Sequence, residues 1–152
     1  GFGLQPGSRI EDVEQLMGVP AMRWTEADGG QTLVYPRGPM GYHTFFVRGD
    51  AMGYLVSREN VLDMRHFARI QAGMTTDDVL RTLGPPVPAW TVYFKARDEL
   101  VWEWRYCDDW NEPARFNVLF DATAMRVRST LTATERSRNV FGSGDRRMWC
   151  SH

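Results

Sequence analysis

The side chains best suited to chemistry are few and scattered. There are three histidines, His43, His66 and His152, and two cysteines, Cys107 and Cys150. No histidine has a second ligand at the short spacings of a metal site, and two distant thiols cannot supply the four ligands of structural zinc. Cys107 stands beside Asp108, Asp109 and Glu103, but a cysteine nucleophile needs a histidine within hydrogen-bond reach, and the sequence places none next to it. His66 falls on a helical segment and reads as a surface or boundary residue. The glycines at Gly1–Gly3 and Gly142–Gly144 lack the strand before and helix after that a phosphate loop requires. The residues therefore point away from catalysis, and no catalytic, cofactor-binding or metal-binding residue is expected. The two cysteines can pair if the chain matures in an oxidising compartment, which the sequence leaves open.

Composition narrows the class further. With 152 residues, 43% of them hydrophobic, the chain is long enough to bury a core without covalent staples. A net charge of −1 gives no basic field for nucleic acid. No apolar run approaches the roughly 20 residues of a membrane-spanning helix. The first residue is Gly1 rather than methionine, which suggests a processed form whose targeting segment has been removed.

The elements that must position any functional residue come from an internal repeat. "LQPGSRIEDVEQLMGVP" from Leu4 returns as "IQAGMTTDDVLRTLGPP" from Ile70, an ungapped offset of 66. Gly7, Asp12, Val13, Gly18, Pro20 and Trp24 meet Gly73, Asp78, Val79, Gly84, Pro86 and Trp90. Such a fixed offset marks a duplicated module. Each copy reads as a short helix. Ser8 with Glu11 has capping-box spacing in the first copy, and Thr75 with Asp78 in the second, an apparent slip of one residue. Asp12 and Asp78 read as first-turn acids that complement the helix dipole. Gly18 and Gly84 suit C-terminal caps, with Pro20 and Pro86 as stops. Ahead of the second copy, "SRENVLDMRHFARI" predicts another helix capped by Ser57, turning at Ala72-Gly73.

After each helix the pattern changes to four short apolar or alternating runs separated by turn residues. The expected fold class is α+β: a tandem of helix, or helix pair, plus four-stranded antiparallel sheet, with helices on one face of each sheet. The units are residues 1–56 and 57–131. Residues 132–152 form a polar, Arg-rich tail, read as mobile, with a basic arm for an anionic surface as the alternative.

Aromatic residues supply the remaining candidates. "LVWEWRY" puts Trp102, Trp104 and Tyr106 on one strand face and Val101, Glu103 and Arg105 on the other. The row is either core or an uncovered protein-binding surface, with Trp110 in the following loop. Trp24 and Trp90 are expected to fill the core. "YPRGPMGYHTFFV" is a turn between strands or a recognition loop presenting Arg37.

At "ARIQAGMTTDDVLRTLGPP" the sequence resembles the SmpA/OmlA family, the BamE-like outer-membrane lipoproteins of Gram-negative bacteria. "ENVLDMRHF" resembles that family's first helix and "VWEWRY" its aromatic strand, with residues 4–56 as a weaker copy. Two units in series are similar to the fold of the β-lactamase inhibitor protein. The resemblance implies a periplasm-facing protein on the outer membrane, held by a lipidated N-terminal cysteine that this chain lacks. It implies a non-enzymatic, protein-binding accessory in outer-membrane protein assembly or envelope integrity, with the β-barrel assembly machinery as candidate partner. Inhibition of a periplasmic hydrolase, or binding of a small molecule or lipid between the units, are the alternatives. Trp102, Trp104, Tyr106, Trp110 and Arg37 are the expected contact residues.

Overall fold

The computed structural model describes residues 5, 7–38, 41–135 and 150. Residues 1–4 and almost all of the Arg-rich tail from 136 onward lie outside them, so the glycine stretches and the mobile-arm expectation do too. Helix α1 (Ile10–Met17) precedes strands β1 (Met22–Thr25), β2 (Gln31–Gly38), β3 (His43–Gly49) and β4 (Leu55–Asn60). Helices α2 (Met64–Phe67) and α3 (Thr76–Leu83) precede β5 (Val92–Phe94), β6 (Glu99–Cys107), β7 (Pro113–Asp121) and β8 (Arg126–Thr134). The strands form two antiparallel four-stranded sheets, in the orders β1-β2-β3-β4 and β5-β6-β7-β8. The protein is therefore α+β, a tandem of helix plus four-stranded meander.

The duplicated helices obey the 66-residue offset at both ends, since Ile10 and Met17 of α1 map onto Thr76 and Leu83 of α3. The apparent slip of the cap is not present. Thr75 caps α3 through a reciprocal pair: its hydroxyl accepts from Asp78 N–H at 3.0 Å, and Asp78 accepts from Thr75 N–H at 3.0 Å. In α1 the cap is Arg9, not Ser8, and only half of the box survives, because an arginine side chain has no acceptor. Asp12 still receives the Arg9 N–H at 3.4 Å. Asp12 and Asp78 thus act by direct hydrogen bonding as well as by charge. Gly18 (φ 84°, ψ −165°) and Gly84 (φ 73°, ψ −171°) close the helices in a region that L side chains avoid.

Two expectations about the segment between the copies are corrected. Ser57 lies in β4, paired with Arg48, and starts no helix. The helix starts later, and Asp63 caps α2 by accepting His66 N–H at 2.9 Å. The reason is tertiary: as an edge strand of the first sheet, 55–60 extends the ladder that β3 offers. The first sheet accordingly runs to Asn60, beyond the expected boundary at 56, and β8 runs to Thr134, beyond the expected start of the tail at 132.

The helices and sheets stack in four layers: α1, first sheet, α2 with α3, second sheet. On one face of the first sheet, Leu33, Tyr35, Phe45 and Val47 pack with Ile10 and Val13 of α1. On its other face, Val34 and Phe46 join Val79 and Leu83 of α3 in a core continuous with the second sheet. Burial on both faces accounts for the unbroken buried runs Thr32–Tyr35 and Thr44–Val47. The second sheet alternates instead. Trp104, Phe116, Val118, Phe120 and Val127 face the helices, and the other face carries Glu103, Arg105, Arg115 and Asn117 in directly paired positions.

Candidate functional site: the second sheet and the junction between units

Strand alternation places Trp102, Trp104 and Tyr106 on the helix side of β6, and there they are core. Trp104 is 1% exposed and Tyr106 4%. Trp104 Nε1 donates to the Gly84 carbonyl at 3.2 Å, and its ring lies 6.2 Å from Trp102. Phe67 of α2 stacks on Phe116 at 4.0 Å and meets Tyr106 edge-on at 4.7 Å. Trp102, partly buried, packs edge-on against Phe120 at 4.7 Å. The expectation that this row forms a partner-binding surface is therefore corrected. The helix layer between the sheets needs three large rings because it is covered on both sides.

The other sequence candidates separate. Trp24 packs against the shared core, edge-on to Phe46 at 5.6 Å, with the Arg81 guanidinium 4.9 Å above it. Trp90 does not follow its counterpart. It sits in a 3-10 turn at the sheet edge, outside the core, with the Arg115 guanidinium 3.7 Å from the ring centre. Trp110 is 79% exposed on the β6–β7 loop, a turn held by the Asp108 carboxylate, which accepts from Trp110 and Glu112 N–H at 2.8 and 2.9 Å. Arg37 lies at a bulge in β2 between Pro36 and Gly38, with φ 61°. The fold brings Arg37 and Trp104 to one recess, which Arg105 and His43 also line.

His66 is corrected from surface to interior, at 1% exposure. Its Nδ1 lies 2.6 Å from Asp63 and its Nε2 3.8 Å from Glu59, so one ring joins α2 to the last strand of the first sheet. Burial pushes the Asp63 carboxyl up, but the His66 ring and backbone hydrogen bonds outweigh it and hold that carboxyl below its ordinary value. Glu59 is likewise raised by burial and brought below its ordinary value by Arg48, His66 and Arg65.

The outer face of the second sheet carries two charged clusters. Arg105 grips Glu135 through Nε (2.5 Å) and Nη2 (2.8 Å), while Arg115 bridges Glu135 (3.3 Å) and Glu103 (3.2 Å). Burial raises the Glu135 carboxyl, and the two arginines outweigh it and bring it below its ordinary value. A second charged group joins Arg128 to Asp121 at 3.0 Å and Arg97 to Glu99 at 3.2 Å. Between the two lies an apolar band: Val92, Val101 and Leu119 in register across three strands, flanked by Phe94 and Leu131. Val92, Phe94 and Leu131 are 43%, 42% and 58% exposed. The Glu103/Arg105 alternation within "VWEWRY" signalled this face, but Glu135 sits beyond the region where periodicity fades.

The open question about the cysteines is answered. Cys107 and Cys150 form a disulfide, with Cα atoms 5.5 Å apart, at the end of β6. Comparison of the chain with protein-family models, with curated proteins and with solved structures gives no match.

Proposed function

We propose that the protein is a non-enzymatic protein-binding module of the bacterial envelope, with the outer face of the second sheet as its contact surface. The observation that carries this reading is that face itself: an apolar band open to solvent, with a charged cluster at either end. Apolar centre and polar rim are the anatomy of a protein interface. The likeness of "ARIQAGMTTDDVLRTLGPP" to the SmpA/OmlA motif supports a place at the periplasmic side of the outer membrane. The Cys107–Cys150 bridge supports an oxidising compartment, where such bonds persist. An accessory role in outer-membrane protein assembly or envelope integrity is the reading these features favour.

The test is a pull-down of the full-length, natively lipidated protein from solubilised envelopes, wild type beside Leu131→Glu. Recovery of the β-barrel assembly machinery by the wild type, lost in the variant with unchanged circular dichroism, is the expected outcome. Recovery of a hydrolase would replace the assembly role with inhibition. Equal recovery by both proteins would remove the sheet face from the proposal.

A further inference from the structure

A sheet edge presents a row of unpaired N–H and C=O groups, and proteins blunt such edges with short strands, charge, bulges or a covering segment. The edge strands here are β1, β4, β5 and β8. β1 and β5 are only four and three residues long. β4 carries Arg58 and Glu59, and its start is covered, since Leu55 N–H donates to the Ser8 carbonyl at 2.6 Å. β8 is nine residues long, and its protection is confined to one end. There Val127 N–H donates to the Met74 carbonyl at 2.9 Å, the Val127 carbonyl accepts from Gly73 N–H at 2.8 Å, and the ladder to β7 shifts register at Arg128.

Beyond that end the edge is bare. Residues 129–133, Ser-Thr-Leu-Thr-Ala, contain no charge, no proline and no glycine. Thr130, Leu131 and Thr132 are exposed, and among the described residues their backbone groups have no partner outside the β7 ladder. Two features of the stretch point to a second copy of this chain. It is close to palindromic about Leu131, with a threonine on either side and a small residue beyond each threonine. It is also bounded symmetrically: Val127 is taken by Gly73 and Met74, Glu135 is held by Arg105 and Arg115, and each lies four residues from Leu131. Charge fixes the direction. Arg126 and Arg128 stand on one side of Leu131, so antiparallel pairing keeps them from their copies, whereas parallel pairing would set arginine against arginine.

We propose that β8 pairs antiparallel with β8 of a second copy about a two-fold axis at Leu131, joining the two second sheets into one. Leu131 then meets its own copy, and each Thr130 stands opposite a Thr132 across the axis. Such cross-strand pairs are favourable. Leu131, 58% exposed in the single chain, becomes covered and carries the apolar band of Val101 and Leu119 across the axis. The pairing shares Leu131 with the contact face proposed above but does not rest on that reading. It uses the strand edge, and Thr130 and Thr132 lie on the helix side, opposite Val118 and Phe116 in the ladder.

The test is sedimentation velocity of the intact disulfide-bonded chain over about a hundredfold range of concentration, so that mass action reports the dimer. Wild type is run beside T130K/T132K and T130K/T132E, each with circular dichroism to show the fold retained. Across the axis the first variant sets lysine against lysine twice, and the second sets lysine against glutamate twice. A reversible wild-type dimer is expected, weakened about tenfold in T130K/T132K and restored to within about threefold in T130K/T132E. A wild type that stays monomeric at every concentration overturns the proposal and leaves the edge to a strand of another protein. A dimer indifferent to T130K/T132K forms elsewhere, and a dimer lost equally in both variants has another register; either result overturns the proposal as well.

Discussion

Gly18 and Gly84 are the same residue of the repeat, in the same backbone conformation, yet alanine should cost much more at one than at the other. Both lie near φ 80° with ψ close to 180°, so each substitution carries the same strain, about 1–3 kcal/mol. Each also restricts the unfolded chain equally, an offset of about 0.4–1 kcal/mol. The surroundings differ. A Cβ on Gly18 meets nothing within 4 Å, whereas on Gly84 it would stand 2.9 Å from Thr44 Cγ2, 3.1 Å from Val34 Cγ1 and 3.4 Å from Phe46 Cε1. All three contacts come from the first sheet, which presses on the end of α3, and overpacking of that kind costs about 1–3 kcal/mol. Subtracting the Gly18→Ala loss from the Gly84→Ala loss removes the shared backbone terms. What remains, about 1–3 kcal/mol, measures the packing of one unit on the other. Urea unfolding reads it as a lower midpoint for Gly84→Ala at unchanged slope, since the shared core makes the two units unfold together. In thermal melts a difference of about 2 kcal/mol appears as about 4–8 °C for a chain of this size. Equal losses in the two variants would refute the stacked arrangement in which α3 lies between both sheets.

Three further outcomes follow from the same structure. Trp104→Ala should cost about 3–5 kcal/mol in urea unfolding, because a buried ring and its bond to the Gly84 carbonyl are lost, while Trp110→Ala, at a position 79% exposed, should stay within about 0.5 kcal/mol of wild type. Replacing both cysteines by serine should lower stability by up to about 4 kcal/mol by loop-closure entropy, given the 43-residue separation between them; an unchanged midpoint would show the thiols unpaired. Asp63, Glu59 and Glu135 all have lowered pKa values in the folded state, so their stabilisation is present above the ordinary carboxylate range and lost as pH falls through the lowered folded values. The unfolding midpoint should therefore drop on going from about pH 6 to pH 3, and Asp63→Asn should flatten that dependence, a result that equal slopes in the two proteins would contradict.

The repeat shows where sequence reading reaches its limit. Helix stops at Gly18 and Gly84, the capping pair Thr75 and Asp78, the eight strand runs and the alternation of Trp102, Glu103, Trp104 and Arg105 were all legible. Each rests on interactions within about four residues along the chain or on the two-residue period of a strand. The sequence by itself therefore determined the α+β class, the duplication and which side chains share a face. It could not determine what each face meets. Trp104 is core rather than contact surface, His66 is interior, Ser57 belongs to a strand, and Cys107 finds Cys150 because of elements distant in the chain. Trp24 and Trp90, twins by offset, part company for the same reason: one sheet has a helix on each side and the other has only one. Burial is a property of the layer across the gap, and only the tertiary stack supplies that layer.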